Sequence, residues 1–229
     1  CCSTIDGIAY SSSLDALYTV DSGNNKLEQW TTDGTRLNEW TINDGTSDIE
    51  GMRGITVRIE SGKDIIHIGA ANGGIYRTYA ATTEDTSSPR GITYAPSTVT
   101  SVTDQDRLWV LIDGSPVDKI VKLNPTTGAA VTWLDSTGRA DAPDSDTAGI
   151  TYMDGSLYVV SNRSDGWDTQ AFVYKINASN GNVESTYNLN NTAMMWGEVG
   201  GISNNGTNLI VHKAYDNEVF FIDPTDGAN

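Results

Sequence analysis

The sequence predicts an all-β fold, a β-propeller of four-stranded antiparallel blades, and three observations carry that prediction. A Gly-Ile pair recurs at Gly7, Gly54, Gly91, Gly149 and Gly201, at spacings close to the roughly 40 to 50 residues that one blade occupies. Each pair opens a short β-branched or aromatic run that is followed by further runs of the same kind, bounded by turn residues. Helical periodicity is absent along the chain.

The elements follow in order within each repeat. The Gly-Ile strand comes first, in phrases such as "GIAY", "GITY" and "GISN". A second strand reads "LYTVD", "IIHIG", "LWVLID", "LYVVSN" and "LIVHK", and a third reads "KLEQW", "GIYRTY", "KIVKLN", "FVYKIN" and "EVFFID". Hairpin signals then appear at Asp33-Gly34, Thr127-Gly128, Asn180-Gly181 and Asp226-Gly227, dipeptides that supply the positive φ of tight turns. An outer strand follows as "RLNEWTI", "AAVTWL" or "NVESTYNL". The second repeat, Gly54 to Pro89, lacks a clear outer strand, and the last stops at the turn where its outer strand should begin. The expectation is therefore a single domain over residues 1–229 with at least five blades and an incomplete last one. Either the ring closes irregularly, or the chain is part of a longer one.

The reading also gives a reason for the repeated phrase. Neighbouring blades crowd the central axis where the innermost strands start, so any side chain at the Gly position would collide there. The Ile beside it packs between blades.

These blades resemble the NHL, YVTN and SMP-30-like propeller superfamily on the phrase "GITY…LYVV…VYKIN..NGNV". The likeness covers essentially the whole chain at the level of the blade and identifies a fold. The blades do not read as WD40 repeats, since no Trp-Asp dipeptide or Gly-His signature closes them.

Composition narrows the partners. The chain has 229 residues and a formal charge of −16, with a pI near 4.2, so Coulomb repulsion disfavours nucleic acid and anionic membranes. No apolar run approaches the roughly 18 residues of a membrane span. Thr, Ser, Asn, Asp and Gly crowd the sequence, and Asn-x-Ser/Thr sequons occur at Asn162, Asn177, Asn190 and Asn205. Both features lean towards an extracellular or cell-surface protein. Cys1 and Cys2 are adjacent, a spacing that fits neither a metal knuckle nor a haem site. A cysteine outside the chain, a lipid-modified first residue and a plain chain edge are the open readings.

In a four-stranded meander the loop entering the first strand and the loop joining the second to the third emerge on one face. Here those loops carry Asp6, Asp21, Glu50, Asn72, Asp113, Asn162, Asp165, Asp168 and Glu198. Carboxylates and amides are hard oxygen ligands suited to Ca²⁺, and the candidate metal set is Glu50, Glu198, Asn72 and Asp113. The bland alternative is that Asp and Asn serve turns for backbone reasons. Trp167 and Trp196 lie in loops of the same face, and large apolar side chains there suit the centre of an interface or the stacking of a sugar ring. Trp167, Trp196, Asn162, Asp165 and Asp168 form the candidate ligand site, for a protein or glycan partner.

Catalytic signals are thin. His67 and His212 both sit inside second strands among apolar neighbours, where packing is the simpler role. No GxSxG elbow, HExxH helix or Walker loop occurs. Resemblance to SMP-30-like lactonases implies an alternative, a Ca²⁺-dependent hydrolase with a Glu, Asn and Asp shell in which the metal polarises a carbonyl and activates water. A third reading is a structural repeat within a large surface protein or filament. The residues favour a binding module on the acidic, Trp-bearing face.

Overall fold

Short β-branched runs joined mostly by short connections leave each strand with its sequence neighbour as the nearest partner, which makes antiparallel meanders. The computed structural model describes residues 5–41, 51–60, 63–71, 74–77, 80–83, 89–95, 107–112, 119–123, 130–135, 147–164, 169–189, 199–213 and 218–227. Blade 1 comprises β1 (Ile5–Ser11), β2 (Ala16–Asp21), β3 (Lys26–Thr31) and β4 (Arg36–Thr41). Blade 2 comprises β5 (Met52–Glu60), β6 (Lys63–Ala70), β7 (Gly74–Arg77) and β8 (Ala80–Thr83). Blade 3 comprises β9 (Pro89–Ala95), β10 (Arg107–Ile112), β11 (Lys119–Leu123) and β12 (Ala130–Asp135). Blade 4 comprises β13 (Thr147–Met153), β14 (Ser156–Ser164), β15 (Thr169–Asn177) and β16 (Val183–Asn188). Blade 5 comprises β17 (Val199–Asn204), β18 (Leu209–Lys213) and β19 (Glu218–Ile222). Every sheet keeps sequence order.

The second repeat does have an outer strand, which corrects the sequence reading. The segment Ala80–Thr83 pairs with β7, Tyr76 opposite Ala81, although Ala-Ala-Thr-Thr carries no aromatic or large aliphatic signal. The fifth blade has three strands among the described residues, as the sequence predicts.

The innermost strands close a ring. β1 packs on β5, β5 on β9, β9 on β13, β13 on β17, and β17 returns to β1. Crowding at the axis is the reason for the glycines. A Cβ added to Gly54 would lie 2.6 Å from Gly91 Cα, one on Gly91 would lie 3.0 Å from Gly149 Cα, and one on Gly149 would lie 3.1 Å from Gly201 Cα. The adjoining isoleucines, Ile8, Ile55, Ile92, Ile150 and Ile202, are all buried.

The third residue of the phrase has a role too. Thr56 Oγ1 accepts the backbone N–H of Tyr94 at 3.1 Å, Thr93 Oγ1 accepts that of Tyr152 at 3.0 Å, and Ser203 Oγ accepts that of Tyr10 at 3.0 Å. Between blades 4 and 5 the bond changes form, and Asn204 Nδ2 donates to Thr151 Oγ1 at 2.7 Å. Each hydroxyl that accepts an N–H satisfies a backbone donor that the next blade's sheet leaves over. The Ser203–Tyr10 bond joins the last blade to the first.

Apolar side chains on facing blades build the core between them. Val20, Leu27, Met52, Ile66 and Ile68 join blades 1 and 2, while Val160, Val173, Leu209, Val211 and Ile222 join blades 4 and 5. The seam between blades 5 and 1 is smaller, with Ile8, Leu17 and Ile210 as its buried core and Tyr10 and Trp30 packed against them. It is also wider at the axis, where a Cβ on Gly201 would meet its nearest atom, Gly7 Cα, only at 3.5 Å. Among the described residues blade 5 has no fourth strand opposite β4, and Val219 and Phe221 of β19 remain 37% and 40% exposed.

Candidate functional site

Each innermost strand carries a β-bulge at the residue before its glycine. The register slips between Ile5 and Gly7, Met52 and Gly54, Thr147 and Gly149, and Val199 and Gly201, and β9 makes the same step between Pro89 and Gly91. The extra residues are Asp6, Arg53, Arg90, Ala148 and Gly200. A bulge residue is released from the alternation of the sheet and can be re-aimed. Asp6, Arg53, Arg90 and Ala148 accordingly line the axial mouth, around the glycines and isoleucines of all five strands.

The mouth is of mixed charge. Burial raises the Asp6 carboxyl above its ordinary pKa, against the hydrogen bond from Ser22 and the nearby Arg53, which pull it down. Asp6 Oδ2 accepts the Ser22 N–H at 3.2 Å. The cavity that the mouth residues enclose on the axis is about 10 Å³, the space of a single water.

Asn162, at the end of the central strand of blade 4, is 6% exposed. Its Oδ1 accepts the Val199 N–H at 2.8 Å and its Nδ2 donates to the Val199 carbonyl at 3.1 Å. A two-way amide clamp therefore holds the start of β17 against the end of β14. In the sequence, residues 165–168 follow just beyond Asn162, and residues 190–198 come just before Val199. These segments carry Trp167 and Trp196, so the clamp brings the roots of the two tryptophan-bearing segments together. The same bonds make the Asn162 sequon a buried amide. Replacing Asn162 by alanine strands both polar groups of Val199, and we expect a loss of about 2 kcal/mol in stability by urea denaturation.

Asp21 serves its turn as the bland reading holds. Its Oδ1 accepts the N–H groups of Gly23 and Asn24 at 2.9 and 3.1 Å, and its Oδ2 accepts Asn24 Nδ2 at 2.9 Å. Of the predicted site residues, Asn162 is the one the structure describes. Trp167, Trp196, Asp165, Asp168, Glu50, Glu198, Asn72 and Asp113 lie outside the described residues. Among the described residues no three His, Cys, Asp or Glu side chains converge as a metal site. His67 and His212 are both 1% exposed, as their apolar strands predict. Trp109 is buried in the core between blades 3 and 4, whereas Trp40 is 40% exposed on β4 and stacks on Tyr18 at 6.5 Å.

Sequence reasoning placed Asp6 on this face and missed the other bulge residues. Aligning the Gly-Ile pairs that open the five innermost strands gives the preceding positions as Asp6, Arg53, Arg90, Ala148 and Gly200. Two arginines at equivalent places in a strongly acidic chain are the signal that alignment offers.

The chain matches no protein-family model and no curated protein. Its fold matches solved propellers. The glutaminyl cyclase of Myxococcus xanthus superposes with a TM-score of 0.67 at 12% identity, over 95% of this chain and 88% of that one. A chain of a nidogen/laminin complex gives 0.57 at 15% identity, over 96% and 75%. Hydrazine synthase of Kuenenia stuttgartiensis gives 0.53 at 12% identity, over 96% and 64%. At such identities the likeness shows the fold alone, a β-propeller that serves enzymes and protein complexes alike.

Proposed function

We propose that the chain is a binding module of the cell exterior that holds its partner on the face where the innermost strands begin. The observation that carries this reading is the Asn162–Val199 clamp, which joins the roots of the two segments bearing Trp167 and Trp196. Trp167 and Trp196, with Asp165 and Asp168 close to Trp167 in the sequence, suit a glycan whose ring stacks on the indole while its hydroxyls meet carboxylates. The small size of the axial cavity supports binding at the surface over chemistry in a channel. The composition, rich in Thr, Ser, Asn, Asp and Gly, supports the exterior setting.

The test is binding of the chain to an array of neutral glycans, with Trp167→Ala and Trp196→Ala as variants. We expect a bound class whose affinity falls at least about tenfold in each variant while the melting temperature is unchanged. Binding indifferent to both tryptophans, or no binding across the array, overturns the reading. Hydrolysis of a lactone panel that needs millimolar Ca²⁺ and is lost in Glu198→Gln would replace it with the hydrolase.

A further inference from the structure

The ring has a weak seam, and the seam holds a cavity. Between blades 5 and 1 a cleft of about 430 Å³ runs from Ile5 near the axial mouth to the Thr31–Gly34 hairpin at the opposite end. This volume falls within the roughly 300–1,000 Å³ of small-molecule pockets. Its walls include Ile8, Leu17 and Trp30 of blade 1 and Val219 and Phe221 of blade 5.

The blade 1 wall is rigid. Trp30 Nε1 donates to Thr19 Oγ1 at 2.9 Å, which fixes the indole plane, and Thr19 in turn donates to Glu28 Oε2 at 3.4 Å. Glu28 and Glu39 are both bound by Arg36, at 2.9 and 2.8 Å, beside the Trp30 ring. The polar groups of this wall are therefore committed to one another.

His212 on the facing wall is different. It lines the cleft, is 1% exposed, and neither Nδ1 nor Nε2 has a hydrogen-bond partner. A buried imidazole left so costs roughly 1–3 kcal/mol for each stranded polar atom, and an aliphatic side chain would fill the same place without that cost. Val219 is its cross-strand neighbour on the same face of the sheet, lines the same cleft and is partly exposed. Burial lowers the His212 pKa to about 4, so at neutral pH the imidazole is uncharged and offers one donor and one acceptor.

We infer that the blade 5–blade 1 seam is a ligand site for a small neutral aromatic molecule bearing one hydroxyl or carbonyl group, which meets His212 while its ring lies between Trp30 and Phe221. Aromatic walls select a planar body. An uncharged imidazole beneath apolar side chains, in a chain of net charge −16, disfavours an anionic head. The site rests on none of the residues of the proposed loop-face site.

The probe is 2-naphthol, with naphthalene as the analogue lacking the hydroxyl, titrated calorimetrically into the full chain at pH 7. We expect saturable 2-naphthol binding at least about tenfold tighter than naphthalene, a preference abolished in His212→Leu. Val219→Trp, which fills the cleft from its exposed edge, should abolish binding of both. The two imidazole side chains of the protein give an independent readout by ¹⁵N NMR, in which 2-naphthol shifts the His212 nitrogens and leaves those of His67 unmoved. Equal affinity for the two probes, binding that survives Val219→Trp, or an unshifted His212 overturns the proposal and leaves the cleft a packing gap.

Discussion

Gly54→Ala should cost about 3 kcal/mol or more, whereas Gly201→Ala at the equivalent place in the fifth blade should cost less than about 1 kcal/mol. An added Cβ at Gly54 would stand 2.6 Å from Gly91 Cα and 2.8 Å from both Gly91 C and Ile92 N. Those atoms are backbone in a closed ring, so relief requires neighbouring blades to separate, and overpacking of that kind is expensive. At Gly201 the nearest atoms are at 3.5 and 3.6 Å, ordinary contact distances. Alanine there also restricts the unfolded chain, which favours the folded state by a few tenths of a kcal/mol or more. Urea denaturation of the two variants side by side measures the difference. Equal penalties would mean that the ring is uniformly tight and the seam between blades 5 and 1 is not its loose joint.

Acidification from pH 6.5 to 4 should remove about 3 kcal/mol of stability through His212 alone. Burial lowers its pKa from 6.5 to about 4 in the folded chain, so between those values the unfolded chain binds the proton and the folded chain does not. Stability therefore rises with pH through that window and is lost as pH falls through it, by about 1.4 kcal/mol for every pH unit crossed. The carboxyl of Asp6 acts in the opposite sense. Its raised folded pKa makes the native state the better proton acceptor just above the ordinary carboxylate range, which offsets part of the loss at the acid end. The His212→Leu variant isolates the histidine. Denaturation at pH 7 and pH 4 should show a smaller loss for the variant by about 3 kcal/mol, and parallel losses would place the imidazole in contact with solvent.

Much of the fold was legible because its strongest constraint is steric. A glycine at the axis, tightly enclosed in every blade but the fifth and followed by a buried isoleucine, repeats wherever a blade begins, so Gly7, Gly54, Gly91, Gly149 and Gly201 mark the blades without any long-range knowledge. The outer strand Ala80–Thr83 was not legible. At the rim of a blade a strand is held by its backbone ladder to β7, and the sequence Ala-Ala-Thr-Thr carries no alternation that announces it. Closure of the ring depends on Ser203 reaching Tyr10, 193 positions away, and no local pattern announces such a bond. The bulges escaped for a related reason, since a slip in register is a property of two strands and is invisible in either one. At the site, the hydrogen bonds of Asn162 were not legible, because its partner Val199 lies 37 positions away. The sequence placed it at the root of the loop face as a ligand residue, and the structure finds its amide engaged by Val199, building the platform from which the tryptophan-bearing segments depart.

The five bulges separate two tasks that a strand residue usually performs at once. Glycine and isoleucine carry the packing of every blade, whereas the residue before them varies, with Asp, Arg, Arg, Ala and Gly in one molecule. Not every blade is equally free there, since Ala148 packs against the core between blades 4 and 5 and a Cβ on Gly200 would lie 2.8 Å from His212 Nδ1. The electrostatic character of the axial mouth can still drift by single substitutions, one blade at a time, while the scaffold stays under selection. Such a ring keeps its architecture as its surface chemistry diversifies, and sequence identity between propellers of this design decays fastest where their partners differ.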